Sequence, residues 1–109
     1  MTTDEATLEE EIVRKGKTAP RLTPTLIDAQ IVAEQYYVFP GTALTVCALT
    51  LKNGFQVVGE SAAASPENFD ADIGKGIARK NARDKIWALE GYALKNALSG
   101  RAPFNEALR

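Results

Sequence analysis

Arg79 and Arg83 stand four residues apart in a stretch of helical periodicity, so their guanidiniums fall one above the other on a narrow polar line that also carries Glu90. Like charges at that spacing cost roughly 0.2–0.5 kcal/mol in an isolated helix. An anion held between them, beside an aromatic side chain, would relieve that repulsion. So would Glu90 and nearby acids on a solvated surface, and the sequence leaves both readings open. Lys80 and Asp84 lie at the edge of this line. From Ala71 to Lys95 the basic residues Lys75, Arg79, Lys80, Arg83, Lys85 and Lys95 outnumber Asp72, Asp84 and Glu90, so any electrostatic role is concentrated there.

Catalytic chemistry has little to rest on. The chain has no histidine and a single cysteine, Cys47, which removes imidazole acid–base catalysis, an internal disulfide and the usual structural zinc sets. Hydrolysis would fall to Glu60, Asp70 or Asp84, and no pair of these forms a recognisable motif. The expectation is a protein that is not an enzyme, with no catalytic residue, metal or cofactor. Gly74 and Gly76 admit a ligand at a helix N-terminus or a close packing contact, but GKG lacks the spacing and the GK[ST] of a phosphate loop.

The element that must position the arginines is a long helix from Asn68 to Ser99, for which Ser65-Pro66-Glu67 offers one start and Asp70 another cap, and which Gly100 ends. One arc collects Ala78, Ala82, Ile86, Leu89 and Ala93; a nearly opposite arc collects Ile73, Ile77, Trp87, Leu94 and Leu98. A small sheet covers one arc, and the other calls for a second copy of the chain. The sheet comes from Leu44 to Leu51 and Phe55 to Ser61, joined at Asn53-Gly54, whose two residues are expected at positive φ in a tight hairpin turn. Cys47 reads as a small buried hydrophobe in the first strand. Glu60 and Ser61 sit near the strand end, where polar groups can face a ligand. Upstream, Thr23-Pro24 starts a helix that runs to about Gln35, with Leu26, Ile27, Ile31, Val32 and Ala33 inside and Asp28, Gln30 and Glu34 outside. Tyr36 to Phe39 is a strand-prone aromatic run that either fills core or stacks on a base.

The fold class is therefore α+β: a small antiparallel β-hairpin sheet packed on a long C-terminal helix, with an additional N-terminal helix. Residues 1–20 form a flexible or short helical arm with acids before bases, residues 21–100 a single domain, and residues 101–109 a tail. The arm is expected to be mobile unless a partner subunit catches Leu8 and Val13. With 13 Lys plus Arg against 14 Asp plus Glu, no global field draws the chain to nucleic acid or anionic lipid. No apolar run approaches the roughly 18 residues of a membrane span, and no signal peptide is seen. The expected location is the cytoplasm.

The run Leu44-Thr45-Val46-Cys47, the turn Leu51-Lys52-Asn53-Gly54-Phe55, Gly59-Glu60-Ser61-Ala62, Asn68-Phe69-Asp70, Ile73-Gly74, Ala82-Arg83-Asp84-Lys85-Ile86-Trp87 and Leu89-Glu90-Gly91-Tyr92 resemble a small phage protein family. That family is named after gene product forty-nine of one coliphage and gene sixty-six of another. The resemblance covers roughly Arg21 to Ser99 and implies work in an infected bacterial host cell; the family name carries no activity. The plan of a short antiparallel sheet on one long helix, paired as a homodimer, is also similar to the phage sponge family called Thoeris anti-defence one. That likeness implies a protein that sequesters a cyclic ADP-ribose isomer, or a related cyclic oligonucleotide signal, at a subunit interface without cleaving it. Residues of matching type are Phe69, Asn81, Arg79 and Arg83, with Arg21 and Arg101 contributed by the other subunit.

The chemistry suits that role. Paired guanidiniums suit a pyrophosphate. Phe69, Trp87 or Tyr37 would supply a flat wall, a base stack being worth about 1–3 kcal/mol. Asn81 would read a base edge or ribose hydroxyl, or instead fix helix register across a dimer. The competing function is a small homo-oligomeric phage protein that binds a host protein through its N-terminal arm and has no small-molecule site.

Overall fold

Helix α1 spans Glu5–Arg14 and α2 spans Pro24–Ala29; three strands follow, β1 Ile31–Val38, β2 Leu44–Leu51 and β3 Gln56–Ala62. A single 3₁₀ turn, Pro66–Asn68, leads into α3, Ala71–Leu98. This computed structural model describes residues 4–17 and 19–100. The chain is α+β, a three-stranded antiparallel meander in the order β1-β2-β3 with α3 laid across one face.

Of the helix starts foreseen at Thr23, Ser65 and Asp70, those at Thr23 and Asp70 carry capping hydrogen bonds, whereas Ser65 makes none and precedes only the 3₁₀ turn. The Thr23 hydroxyl accepts from Leu26 N at 3.2 Å, with Pro24 in the first helical position. Asp70 Oδ1 accepts from the amides of Asp72 and Ile73 at 2.9 and 3.0 Å. At the other end of α3, Ser99 is the cap and Gly100 turns the chain at φ +71°.

The helix that begins at Thr23 stops six residues later instead of running to Gln35. From Ile31 onward the β-branched and aromatic residues Ile31, Tyr36 and Tyr37 pair with β2, Ile31 opposite Leu51, Tyr36 opposite Cys47 and Tyr37 opposite Val46, while Val32 lies where the register shifts between Ile31 and Ala33. An open β2 edge supplies a ladder of backbone hydrogen bonds, which outweighs the helical spacing of the apolar residues. The aromatic run is thus the second half of an eight-residue strand. The hairpin turn also differs from expectation: only Gly54 has positive φ, at +90°. Gly54 N donates to Leu51 O and Leu51 N donates to Phe55 O, both at 2.8 Å, while Asn53 Oδ1 accepts from Phe55 N. This is a three-residue loop, a turn closed by a glycine bulge, and not a two-residue turn.

The core lies between sheet and helix. Cys47, Leu49, Leu51 and Val57 project from the sheet onto Ala78, Ala82 and Ile86, and Ile27 closes one end from α2. Cys47 is fully buried, and burial pushes its thiol above its ordinary pKa. On the opposite arc of α3, Ile73, Ile77 and Leu98 are exposed and Trp87 is half-buried. Leu89, expected inside, is exposed beside Phe55 and Val58 at the start of β3.

Two glycines set the helix-to-sheet distance. A Cβ on Gly59 would collide with the backbone nitrogen of Ala82 and the carbonyl oxygen of Ala78, so α3 rests directly on the β3 main chain. A Cβ on Gly74 would come within 3.0 Å of Oγ1 of the buried Thr45. The close-contact reading of Gly74 therefore has a physical cause. Gly76 has nothing within 4 Å of the same position.

Gly59→Ala is expected to push helix from sheet at a cost of about 1–3 kcal/mol, lowering the thermal midpoint by roughly 5–20 °C. Gly76→Ala, exposed within α3, is expected to raise stability by about 0.5–1 kcal/mol. Thermal unfolding of the two variants beside the parent reads both signs.

Candidate functional site

Arg83 is the best-held cation described in the chain. Its Nη1 and Nη2 donate to the two carboxylate oxygens of Glu5 at 2.6 and 3.1 Å, and its Nε donates to Asp28 Oδ1 at 2.7 Å. With 13% of the side chain exposed, it joins α1, α2 and α3 at one point. Arg79, one turn earlier, donates through Nε to Glu34 Oε2 at 2.9 Å and so ties α3 to β1. The repulsion between the two arginines is answered by carboxylates from three other elements. Asp28 and Glu34, read from the sequence as outside, are exposed and at the same time accept from the arginines of α3.

Glu34 extends this network. Its other oxygen accepts from the Tyr36 hydroxyl at 3.0 Å, and Lys75 Nζ lies 5.7 Å from the centre of the Tyr36 ring. The Arg79 hydrogen bond, then that of Tyr36, holds the Glu34 carboxyl below its ordinary pKa. Burial, then the bond to Glu34, pushes the Tyr36 phenol from 10.0 up to about 12.

Asn81 lies elsewhere. Its Nδ2 donates to the Glu60 carbonyl oxygen at 2.8 Å, so it reaches β3 while Arg79 reaches β1, at the opposite edge of the sheet. Phe69, half-buried, lies on the β3 side with Asn81. It lines a hollow of about 110 Å³ with Ser61, Asn68, Asp70, Gly74 and Ile77. Trp87 is on the arginine side, where it borders an apolar hollow of about 230 Å³ with Leu8 and Pro24. Arg21 belongs to that side too, donating to Glu9 Oε1 at 2.8 Å and to the Leu22 carbonyl at 3.3 Å. Arg101 falls outside the described residues. A broad cleft of about 1110 Å³ runs past Glu5, Thr23, Lys80, Arg83 and Asp84.

The candidate residues thus form two groups within one chain: Phe69 and Asn81 toward β3, and Arg79, Arg83, Trp87 and Arg21 toward β1, α2 and α1. Glu5, Asp28, Glu34 and Tyr36, which complete the arginine group, were missed as site residues. Nothing in the local pattern marks them, because Glu5 and Arg83 are 78 positions apart in the chain. Among the described residues, no group of His, Cys, Asp and Glu could hold a metal ion, and no helix is long and apolar enough to cross a membrane.

A model of the Phage protein (N4 Gp49/phage Sf6 gene 66) family matches residues 22–98. The chain belongs to that family. The match takes in α2, the whole sheet and α3, and it leaves α1 outside the Gp49/gene 66 region. Searches of curated proteins and of solved structures find no match.

Arg83→Ala is expected to cost about 1–2 kcal/mol of stability, held to that size because Glu5 and Asp28 stay open to water. Arg83→Lys should recover less than half, since one ammonium cannot reproduce the fork that spans two carboxylates; urea titration of the three proteins measures both. Tyr36 adds a pH signature. Between its ordinary 10.0 and about 12, the folded chain holds a proton that the unfolded chain has lost. Stability is therefore full below that window and falls as pH rises through it. Tyr36→Phe should flatten this alkaline decline, which melting curves taken across the window would show.

Proposed function

We propose that this phage-family protein binds an anionic nucleotide signal, a cyclic ADP-ribose isomer or cyclic oligonucleotide, and sequesters it uncleaved between two copies of the chain. The observation that supports this reading is the division of the candidate residues. Phe69 and Asn81 face one edge of the sheet, Arg79 and Arg83 the other. A ligand that takes Phe69 and Asn81 together with the paired arginines draws on both sides of the chain, an arrangement that suits a site shared between two copies. Between two copies, the wall of one protomer meets the arginines of the second. The exposed outward stripe of Ile73, Ile77 and Leu98 gives a second copy apolar surface to cover. Residues with no acid–base or metal machinery suit retention without turnover.

The state of the arginines favours a second reading. Arg79 and Arg83 already hold protein carboxylates, so the guanidiniums serve as clasps between elements. On that reading the protein is a homo-oligomer that acts by binding a host protein and has no small-molecule site.

Calorimetric titration with cyclic ADP-ribose isomers, cyclic dinucleotides and cyclic trinucleotides, followed by chromatography of the released ligand, separates the two. The first reading expects submicromolar binding and intact ligand; silence across the panel supports the second. The shared-site arrangement has its own test. Phe69→Ala and Arg83→Ala should each abolish binding, yet a mixture of the two should regain roughly a quarter of the sites, because random pairing in a two-fold dimer rebuilds one unmutated site per mixed dimer. If mixing restores nothing while each variant still dimerises, the site is not shared.

A further inference from the structure

Helix α1 is held to the rest of the chain mainly by ion pairs. It contains no buried residue, and it lies outside the region matched by the family. Its described contacts with the rest of the chain centre on the Glu5–Arg83 pair, the Glu9–Arg21 pair and the approach of Leu8 to Trp87. The last of these is incomplete: Leu8 is 45% exposed and an apolar hollow of about 230 Å³ lies between the helix and Trp87. An element with so little apolar burial is drawn from the low-stability end of a structure, where local opening is easiest.

The group that this helix places on Arg83 is a carboxylate in two-oxygen register with the guanidinium. A phosphate makes the same pair of hydrogen bonds to an arginine. Glu5 therefore occupies the position that an anionic ligand of Arg83 would need. Asp4, Glu9, Glu10 and Glu11 give the same short segment a concentrated negative charge, while Lys80 borders the cleft beside Arg83.

We infer that α1 is a displaceable lid whose Glu5 acts as a built-in stand-in for the ligand anion on Arg83, so that anion binding and helix seating exclude each other. This rests on the reading of Arg83 as a ligand residue. The physical basis is competition: the affinity observed is the intrinsic affinity scaled by the fraction of molecules with the lid off. The ion pairs that seat the lid are partly exposed and weaken with salt, so salt loosens the lid as well as the ligand.

Trp87 is the only tryptophan in the chain and borders the lid, so its fluorescence reports seating in the full-length protein. The variants are Glu5→Gln/Glu9→Gln, which removes both seating charges, and Leu8→Ala, which loosens the helix without altering any charge. Each is measured by acrylamide quenching of Trp87 and by calorimetric titration with the cyclic nucleotide panel and, separately, with inorganic pyrophosphate at fixed ionic strength. The expected result is increased quenching in both variants together with affinity raised about five- to thirtyfold, the opened fraction setting the gain. Unchanged quenching, or increased quenching with unchanged or weaker affinity for every anion, overturns the lid. If no nucleotide binds any protein but pyrophosphate binds the variants more tightly than the parent, the lid stands and the nucleotide reading falls. If no anion binds at all, both fall.

Discussion

Helix α3 can lie on the sheet only because side chains are missing along the line of contact. Gly59 on β3 meets Ala78 and Ala82 backbone to backbone, and Gly74 makes room for the hydroxyl of Thr45 one turn earlier. With the main chains this close, Cys47, Leu49 and Val57 reach Ala78, Ala82 and Ile86 without large side chains on the helix, and a single layer of small residues forms a sealed core. The same closeness brings Asn81 within hydrogen-bond reach of the Glu60 carbonyl on one flank and Arg79 within reach of Glu34 on the other. Both candidate groups inherit their placement from that seam.

The second constraint is electrostatic. Two arginines a turn apart need counter-charge, and the chain supplies it from segments remote in sequence, Glu5, Asp28 and Glu34. These pairs convert a local repulsion into long-range connections that orient α1, α2 and β1 around one helix. Each connection is modest because one member is solvent-accessible. Together they select a single arrangement for elements that bury little apolar surface of their own, α1 above all.

Much of the architecture was legible because it is written in local chemistry. The caps at Thr23 and Asp70, the stop at Gly100, the strand Leu44–Leu51 and the alanine-lined arc of α3 each follow from a few adjacent residues. The early end of α2 was not, because Ile31 and Val32 suit a helix face or a strand equally well and the available edge of β2 decides between them. The turn was misread for a related reason: Asn-Gly is compatible with two loop lengths, and the register of Thr50 opposite Gln56 selects the longer. In the candidate site, the spacing of Arg79 and Arg83 was visible, but their carboxylate partners were not. Nor could the sequence show that Asn81 and Arg79 point to opposite sheet edges, since that depends on which way α3 crosses the strands.

The meander carries one more consequence, for the way the chain assembles. Each strand pairs with its neighbour in sequence, β1 with β2 across a short link and β2 with β3 across a tight turn, so the sheet requires no crossover and loses little loop entropy as it forms. Helix α3 follows the sheet directly and docks on its last two strands. Contacts are therefore made largely in the order in which the residues leave the ribosome. Such a chain is suited to rapid folding during synthesis, with the N-terminal helix able to close over Trp87 only after the last long helix has emerged.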